Sequence, residues 1–161
     1  MPEDDAQAMR RARRDKREGK APTTQAGEFV REEIDHVREG KHGARSAKQA
    51  IAIGLSKARR AGVKLPPPRK GTTSEKTRVS AERASARGQG KAAGRKPSAK
   101  RSRAVSGVLK REGHAAASHK ALSRQTRGAA ARRNPAERST AARKAARTRH
   151  SRKKEEVGGR K

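Results

Sequence analysis

The sequence predicts a mainly α-helical chain with extensive disorder: a short helical hairpin at about residues 28–62 and a basic low-complexity tail carrying Ala/Arg-rich helical segments. Three observations lead there. Leu, Ile, Val and Phe supply 15 of the 161 residues, far below the roughly 20% that a highly charged chain needs to build a core. Alanine, with 30 residues, makes up most of the apolar content, and it favours helix while burying little surface. Charge is divided unevenly: residues 1–40 carry 9 bases and 10 acids, residues 41–161 carry 36 bases and 6 acids. A nearly neutral head therefore precedes a polycation that stays extended until an anion neutralises it.

Residues 1–19 read as a charged N-terminal helix. Glu3, Asp4 and Asp5 open it, Arg10 to Arg17 close it, and Gly19 suits the C-terminal cap. Its apolar residues are Ala6, Ala8, Met9 and Ala12, which leaves it little to pack with and predicts fraying. Residues 20–27 read as a linker. Residues 28–68 hold the strongest helical rhythm, a helix–loop–helix unit. Val30, Ile34 and Val37 recur at i, i+4 and i+7, with Phe29 at the edge and Glu32, Asp35 and Glu39 opposite; Gly40 ends the helix. These outward acids are expected to engage the basic tail. Ser46-Ala47-Lys48-Gln49 is a capping box that opens the second helix. Ala47, Ile51, Leu55 and Ala58 form its inward face, Gly54 permits close approach of a partner, and Ile53 points the other way. Gly62 and Pro66-Pro67-Pro68 close the unit. So few apolar residues make it marginal alone, so it is expected to fold on a ligand or as a homodimer through the hairpin.

Residues 69–101 read as a disordered basic linker, residues 102–150 as an Ala/Arg/Lys-rich helical tail, and residues 151–161 as a disordered C-terminus. In the tail, Val105, Val108 and Leu109 form a small apolar patch. Asn134-Pro135-Ala136-Glu137 is a helix start, with an Asn cap, Pro at the first helical position and Glu three residues after the cap.

Composition excludes several function classes. No apolar run approaches the roughly 18 residues of a membrane span, and a basic amphipathic membrane helix would carry larger residues than alanine opposite its charges. The start Met1-Pro2-Glu3-Asp4-Asp5 is acidic, the wrong flank for a signal peptide. Cysteine is absent. His36, His42, His114, His119 and His150 are scattered, and His114 and His119, five apart, do not share a helix face. Gly88-Gln89-Gly90-Lys91 lacks the first glycine and the hydroxyl of a phosphate-binding loop. The expectation is a cytoplasmic, nucleoid-located protein that is not an enzyme and has no metal or cofactor.

Nucleic acid is the expected partner, because neutralised phosphates release condensed counterions. From Gly40 to Ser74 there is no acid, and Lys41, Arg45, Lys48, Lys57, Arg59, Arg60, Lys64, Arg69 and Lys70 are the candidate contacts there. The second helix would lie along a duplex with cations at both ends. Arg132, Arg133, Arg143, Lys144, Arg147 and Arg149 are the candidates in the tail. One Phe and no Trp or Tyr leave no stacking platform for single strands, so duplex DNA is favoured over RNA.

The run Lys41–Gly62, with Lys48-Gln49-Ala50-Ile51-Ala52-Ile53-Gly54-Leu55-Ser56 at its centre and Ala61-Gly62 at its close, resembles the core of a small uncharacterised bacterial domain family. That resemblance brings no established activity. In composition the tail resembles linker-histone tails and those of bacterial histone-like proteins. It differs from eukaryotic linker histones in having 28 Arg against 17 Lys and no Ser-Pro or Thr-Pro. The resemblance implies a nucleoid-associated, histone-like protein acting by phosphate neutralisation and compaction. An RNA- or ribosome-associated basic protein is the alternative. A protein-interaction adaptor with a localising basic tail is a further one.

Overall fold

The computed structural model describes residues 3–91 and 98–158. Its elements are α1 (Glu3–Arg17), α2 (Pro22–Arg38), α3 (Ala47–Arg60), α4 (Glu75–Gly88), α5 (Ala99–Arg111), a 3-10 turn at Ala115–Ala117, α6 (His119–Ala131) and α7 (Pro135–Gly158). No strand occurs among the described residues. The mainly helical class holds; the extensive disorder does not. The chain divides into two compact units, residues 1–122 and residues 123–161.

In the first unit α2 is the axis, with α1 and α3 packed on it. One cluster joins Ala8 and Ala12 of α1, Ala26 and Phe29 of α2, Ala58 of α3, and Val63 and Leu65 beyond it. A second joins Ile34, Val37, Ala44, Ala50, Ala116 and Ala117. α1 is therefore a packed helix and not the fraying one expected, because Ala8 and Ala12 recur at i, i+4 and fit closely where larger residues would hold helices apart. The segment expected as a linker at 20–27 is a turn followed by the opening of α2, whose Pro22 sits at a helix start, where its missing amide costs nothing.

The expected inward face of α3 is rotated. Its buried residues are Ala47, Ala50, Gly54, Ala58 and Arg59, while Ile51, Ile53 and Leu55 are only half-buried. Close packing explains the rotation. A Cβ built on Gly54 would stand 2.7 Å from Val30 Cα and 2.9 Å from Phe29 O, so α2 and α3 cross backbone against backbone. Ser46 caps the helix, its Oγ accepting from Gln49 N at 3.2 Å, while Gln49 Oε1 reaches one residue further back than a strict capping box and accepts from Arg45 N at 3.0 Å. At the other end Gly62, at φ +89°, lets Val63 N bond Ala58 O at 3.1 Å.

Two segments assigned to disorder or tail complete this unit. Ser74 Oγ accepts from Thr77 N and starts α4, whose Ala81 and Ala84 are buried. Gly88 presses on the end of α3, where an added Cβ would fall 1.9 Å from Arg59 O. Residues 92–97 of the expected disordered linker lie outside the described residues. Further on, Gly43 N bonds Leu109 O at 2.8 Å, Ala44 N bonds Gly113 O at 3.1 Å, and Arg38 Nε donates to Ala117 O at 3.0 Å. Backbone hydrogen bonds and alanines thus hold Leu109–Ala117 against the head, where hydropathy alone marks no attachment.

In the second unit α7 starts as expected, with Glu137 N donating to Asn134 Oδ1 at 2.7 Å. It continues to Gly158, past the boundary at 151 where disorder was expected; arginine, lysine and glutamate, which fill residues 152–156, all propagate helix well. Residues 159–161 of that segment lie outside the described residues.

The crossing at Gly54 makes a direct prediction. Gly54→Ala should destabilise the protein by about 1–3 kcal/mol through overpacking, read from urea unfolding. Gly107→Ala, inside α5 with nothing within 4 Å of the added methyl, should be neutral or stabilise by up to about 1 kcal/mol.

Candidate functional site

Most of the expected phosphate contacts lie on the surface. Lys41, Arg45 and Lys48 are exposed around the start of α3, and Arg60, Lys64, Arg69 and Lys70 are exposed at and beyond its end. Lys41 is ion-paired with Glu39 at 3.1 Å and Arg45 with Glu112 at 3.5 Å. Arg132 and Arg133, together with Arg143, Lys144, Arg147 and Arg149 on α7, are exposed in the second unit. At 100° per residue the α7 cations spread around the helix axis instead of sharing one face.

Lys57 and Arg59 have to be removed from that set. The Lys57 ammonium lies 3.0 Å from Glu33 Oε2 and 3.1 Å from Asp5 Oδ1. Burial works against its charge, yet the two carboxylates outweigh that and raise its pKa above the ordinary lysine value. Arg59 is buried and donates to Pro66 O at 3.0 Å, and burial lowers the pKa of its guanidinium. The physical reason is position. Both fall on the sides of α3 that α2, α4 and the Val63–Leu65 segment cover, while Lys48, Ala52 and Arg60 of the same helix stay exposed.

The acids of α2 are also engaged locally. Arg11 bridges Glu28 at 2.7 Å and Glu32 at 2.5 Å, sealing α1 to α2. Asp35 faces Arg31 and Arg38 on its own helix, and Glu39 faces Lys41. Glu32 is thereby turned to the α1–α2 seam, whereas Asp35 is half-buried and Glu39 exposed, each beside a local cation. Exposed cations that the sequence reading left out lie on α1 (Arg10, Arg13, Arg17) and α5 (Lys100, Arg101, Arg103). The signal for them was local charge density alone.

Glu33 is fully buried at the α2–α3 seam. Beside it sit His36 and His42, their rings edge-to-face at 6.1 Å between centroids. His42 Nε2 lies 3.3 Å from Glu33 Oε1, and His36 Nε2 lies 3.5 Å from Glu32 Oε1. The sequence concealed this grouping because His42 follows the helix. The turn at Gly40, where Lys41 N bonds His36 O at 3.0 Å, folds it back onto the last turns of α2.

Residues 6–70 match the model of a family of unknown function, DUF6496. The matched segment runs from the first turn of α1 through α3 to Lys70, and it contains Glu33, His36, His42 and Lys57. It includes residues 41–62, whose pattern resembles an uncharacterised domain family. No curated protein and no solved structure matches the chain. Among the described residues no helix is long and apolar enough to cross a membrane.

Removing one partner of the buried pair leaves the other uncompensated. Lys57→Ala should cost about 3 kcal/mol or more of stability, measured by urea unfolding, whereas Arg60→Ala should cost under about 0.5 kcal/mol. The raised pKa also sets the pH window. Stability from the Lys57 pair is complete below lysine's ordinary 10.5 and is lost as pH rises through the raised folded value. In wild type, stability should therefore fall in the strongly alkaline range, and the Lys57→Ala variant should lack that part of the fall.

Proposed function

We propose that this protein binds duplex nucleic acid, DNA in preference to RNA, as a nucleoid-associated, histone-like protein that neutralises phosphates and compacts the duplex with little sequence specificity. The observation that carries the reading is the exposed cationic surface of the second unit. Every residue from Ala131 to His150 is exposed, and Glu137 is the sole acid in that stretch. Such a segment has no core to serve, and its stability as a helix improves when phosphates screen its like charges.

The first unit supports the same reading in a secondary way. Its acids lie largely in pairs within the head, so the cations around them are left to interact with solvent and polyanions. Phe29, the only aromatic residue, is buried in the α1–α2–α3 cluster. Base stacking therefore has no aromatic platform, which favours a duplex over single strands. Backbone contact without base-edge readout gives little sequence preference.

An interaction-adaptor role has one observation in its favour, the exposed Val105 and Val108 of α5. Pull-down after DNase and RNase treatment separates the two. Partners lost with nuclease support nucleic-acid binding, and protein partners retained after both nucleases support the adaptor.

Gel shifts on duplex DNA, single strands and structured RNA across a salt series give the quantitative test. For about ten neutralised phosphates, log K should fall against log salt with a slope near −9. A slope shallower than about −3, or equal binding to all three nucleic acids, overturns the proposal. Replacing Arg138, Arg143, Lys144, Arg147 and Arg149 together by Gln should make the slope shallower by about 4 without changing the stability of the first unit.

A further inference from the structure

We propose that Glu33, His36 and His42 form a binding site for one divalent transition-metal ion, zinc being the ion that suits the donor set best. Each residue offers one ligand atom, and the three atoms lie within 4.8 Å of one another. Glu33 and His36 are buried and His42 is half-buried. Two imidazoles and one carboxylate are typical zinc ligands, whereas magnesium and calcium prefer oxygen ligands over imidazole nitrogen.

The hydrogen bonding of His42 makes the case specific. Its Nδ1 lies 3.1 Å from the Gly43 carbonyl oxygen. A carbonyl only accepts, so Nδ1 carries the proton, and in the neutral ring Nε2 presents a lone pair. That lone pair faces Glu33 Oε1 at 3.3 Å, and this carboxylate oxygen is buried without a hydrogen bond. Two lone-pair atoms facing each other, one of them buried, repel unless a cation stands between them. Either a second proton on the ring or a metal ion meets that need.

The surroundings suit the metal. In a tetrahedral site with bonds of about 2.0–2.1 Å, neighbouring ligand atoms stand about 3.3 Å apart, the spacing that Glu33 Oε1 and His42 Nε2 already have. The widest of the three separations, within 4.8 Å, needs to close by at most about 1.5 Å to match. Water can supply the fourth ligand. The Gly43 carbonyl fixes the orientation of the His42 ring, as carbonyls beside metal-binding imidazoles do. Lys57 contacts Glu33 through the other oxygen, Oε2, and Asp5 shares its charge. Oε1 can therefore bind metal while the ion pair stays in place.

The test uses the full-length protein, treated with nuclease and with a chelator that is then removed, and titrated near neutral pH with zinc chloride and separately with cobalt(II) chloride. The expected result is one zinc per chain by calorimetry, a thermal midpoint that rises with zinc, and the visible absorption bands of tetrahedral cobalt(II). His42→Gln and His36→Gln should each weaken zinc binding by at least about tenfold, the loss that even outer partners of metal ligands produce, and should abolish the cobalt bands. His119→Gln, at an exposed position, should leave both unchanged. Circular dichroism without metal checks that the variants fold, and the wild-type stoichiometry and cobalt spectrum stand independently of them. Failure of the wild-type protein to bind zinc overturns the proposal. So does binding that survives both His36→Gln and His42→Gln.

Discussion

The fold rests on the close approach of α2 and α3 at Gly54. A chain with one Phe and so few branched aliphatic residues cannot fill the ordinary gap between helices with side chains. It closes the gap instead by bringing the backbones together. Dispersion contacts grow as the surfaces approach, and alanine, too small to bury much surface across a wide interface, becomes an effective core residue across a narrow one. Ala50 and Ala58, one turn to either side of Gly54, complete the stripe. The same device recurs at Gly88 against Arg59 and at Gly43 against Glu112, where backbone again meets backbone. What looks like low-complexity composition therefore holds the spacing code of a packed unit.

Close packing also accounts for the charges inside. Helical side chains lean toward the N-terminus of their helix, which brings the long side chain of Lys57 back toward Glu33 across the seam. Narrow seams exclude water, so a carboxylate there needs partners close by. Lys57 serves one oxygen and His42 faces the other. A buried pair of this kind contributes little net stability compared with an apolar replacement, but it penalises any misaligned packing heavily. In a core of small residues, where shape alone specifies register weakly, a buried charge that can be satisfied in only one alignment adds specificity.

The elements that were legible in the sequence are those set by local rules. The Ser46 cap, the Asn134 cap and the glycine ends at Gly19, Gly40 and Gly62 depend on residues within one or two turns, and the structure shows each of them. α4 had the same local signals, with Ser74 as its cap and Glu75 and Glu82 both pairing with Arg78. Its missing hydropathy obscured them. Among the site residues, exposure of the tail cations followed from composition, since a segment with nothing to bury stays in water. The inward turn of Lys57 and Arg59 did not, because their solvation depends on which side of α3 receives α2 and α4.

By itself, the sequence determined the helical class of the chain, the caps that open α3 and α7, and that a large positive charge would remain on the surface. Those properties are local or additive, so the order of residues suffices to set them. Tertiary structure alone decided which small residues face one another, that Ala116 and Ala117 return to the second cluster around Val37, and that Glu33, His36 and His42 meet beside Lys57. These outcomes depend on helix crossings less than one side chain wide. At that separation the presence or absence of a single Cβ, and not hydrophobicity, decides the contact.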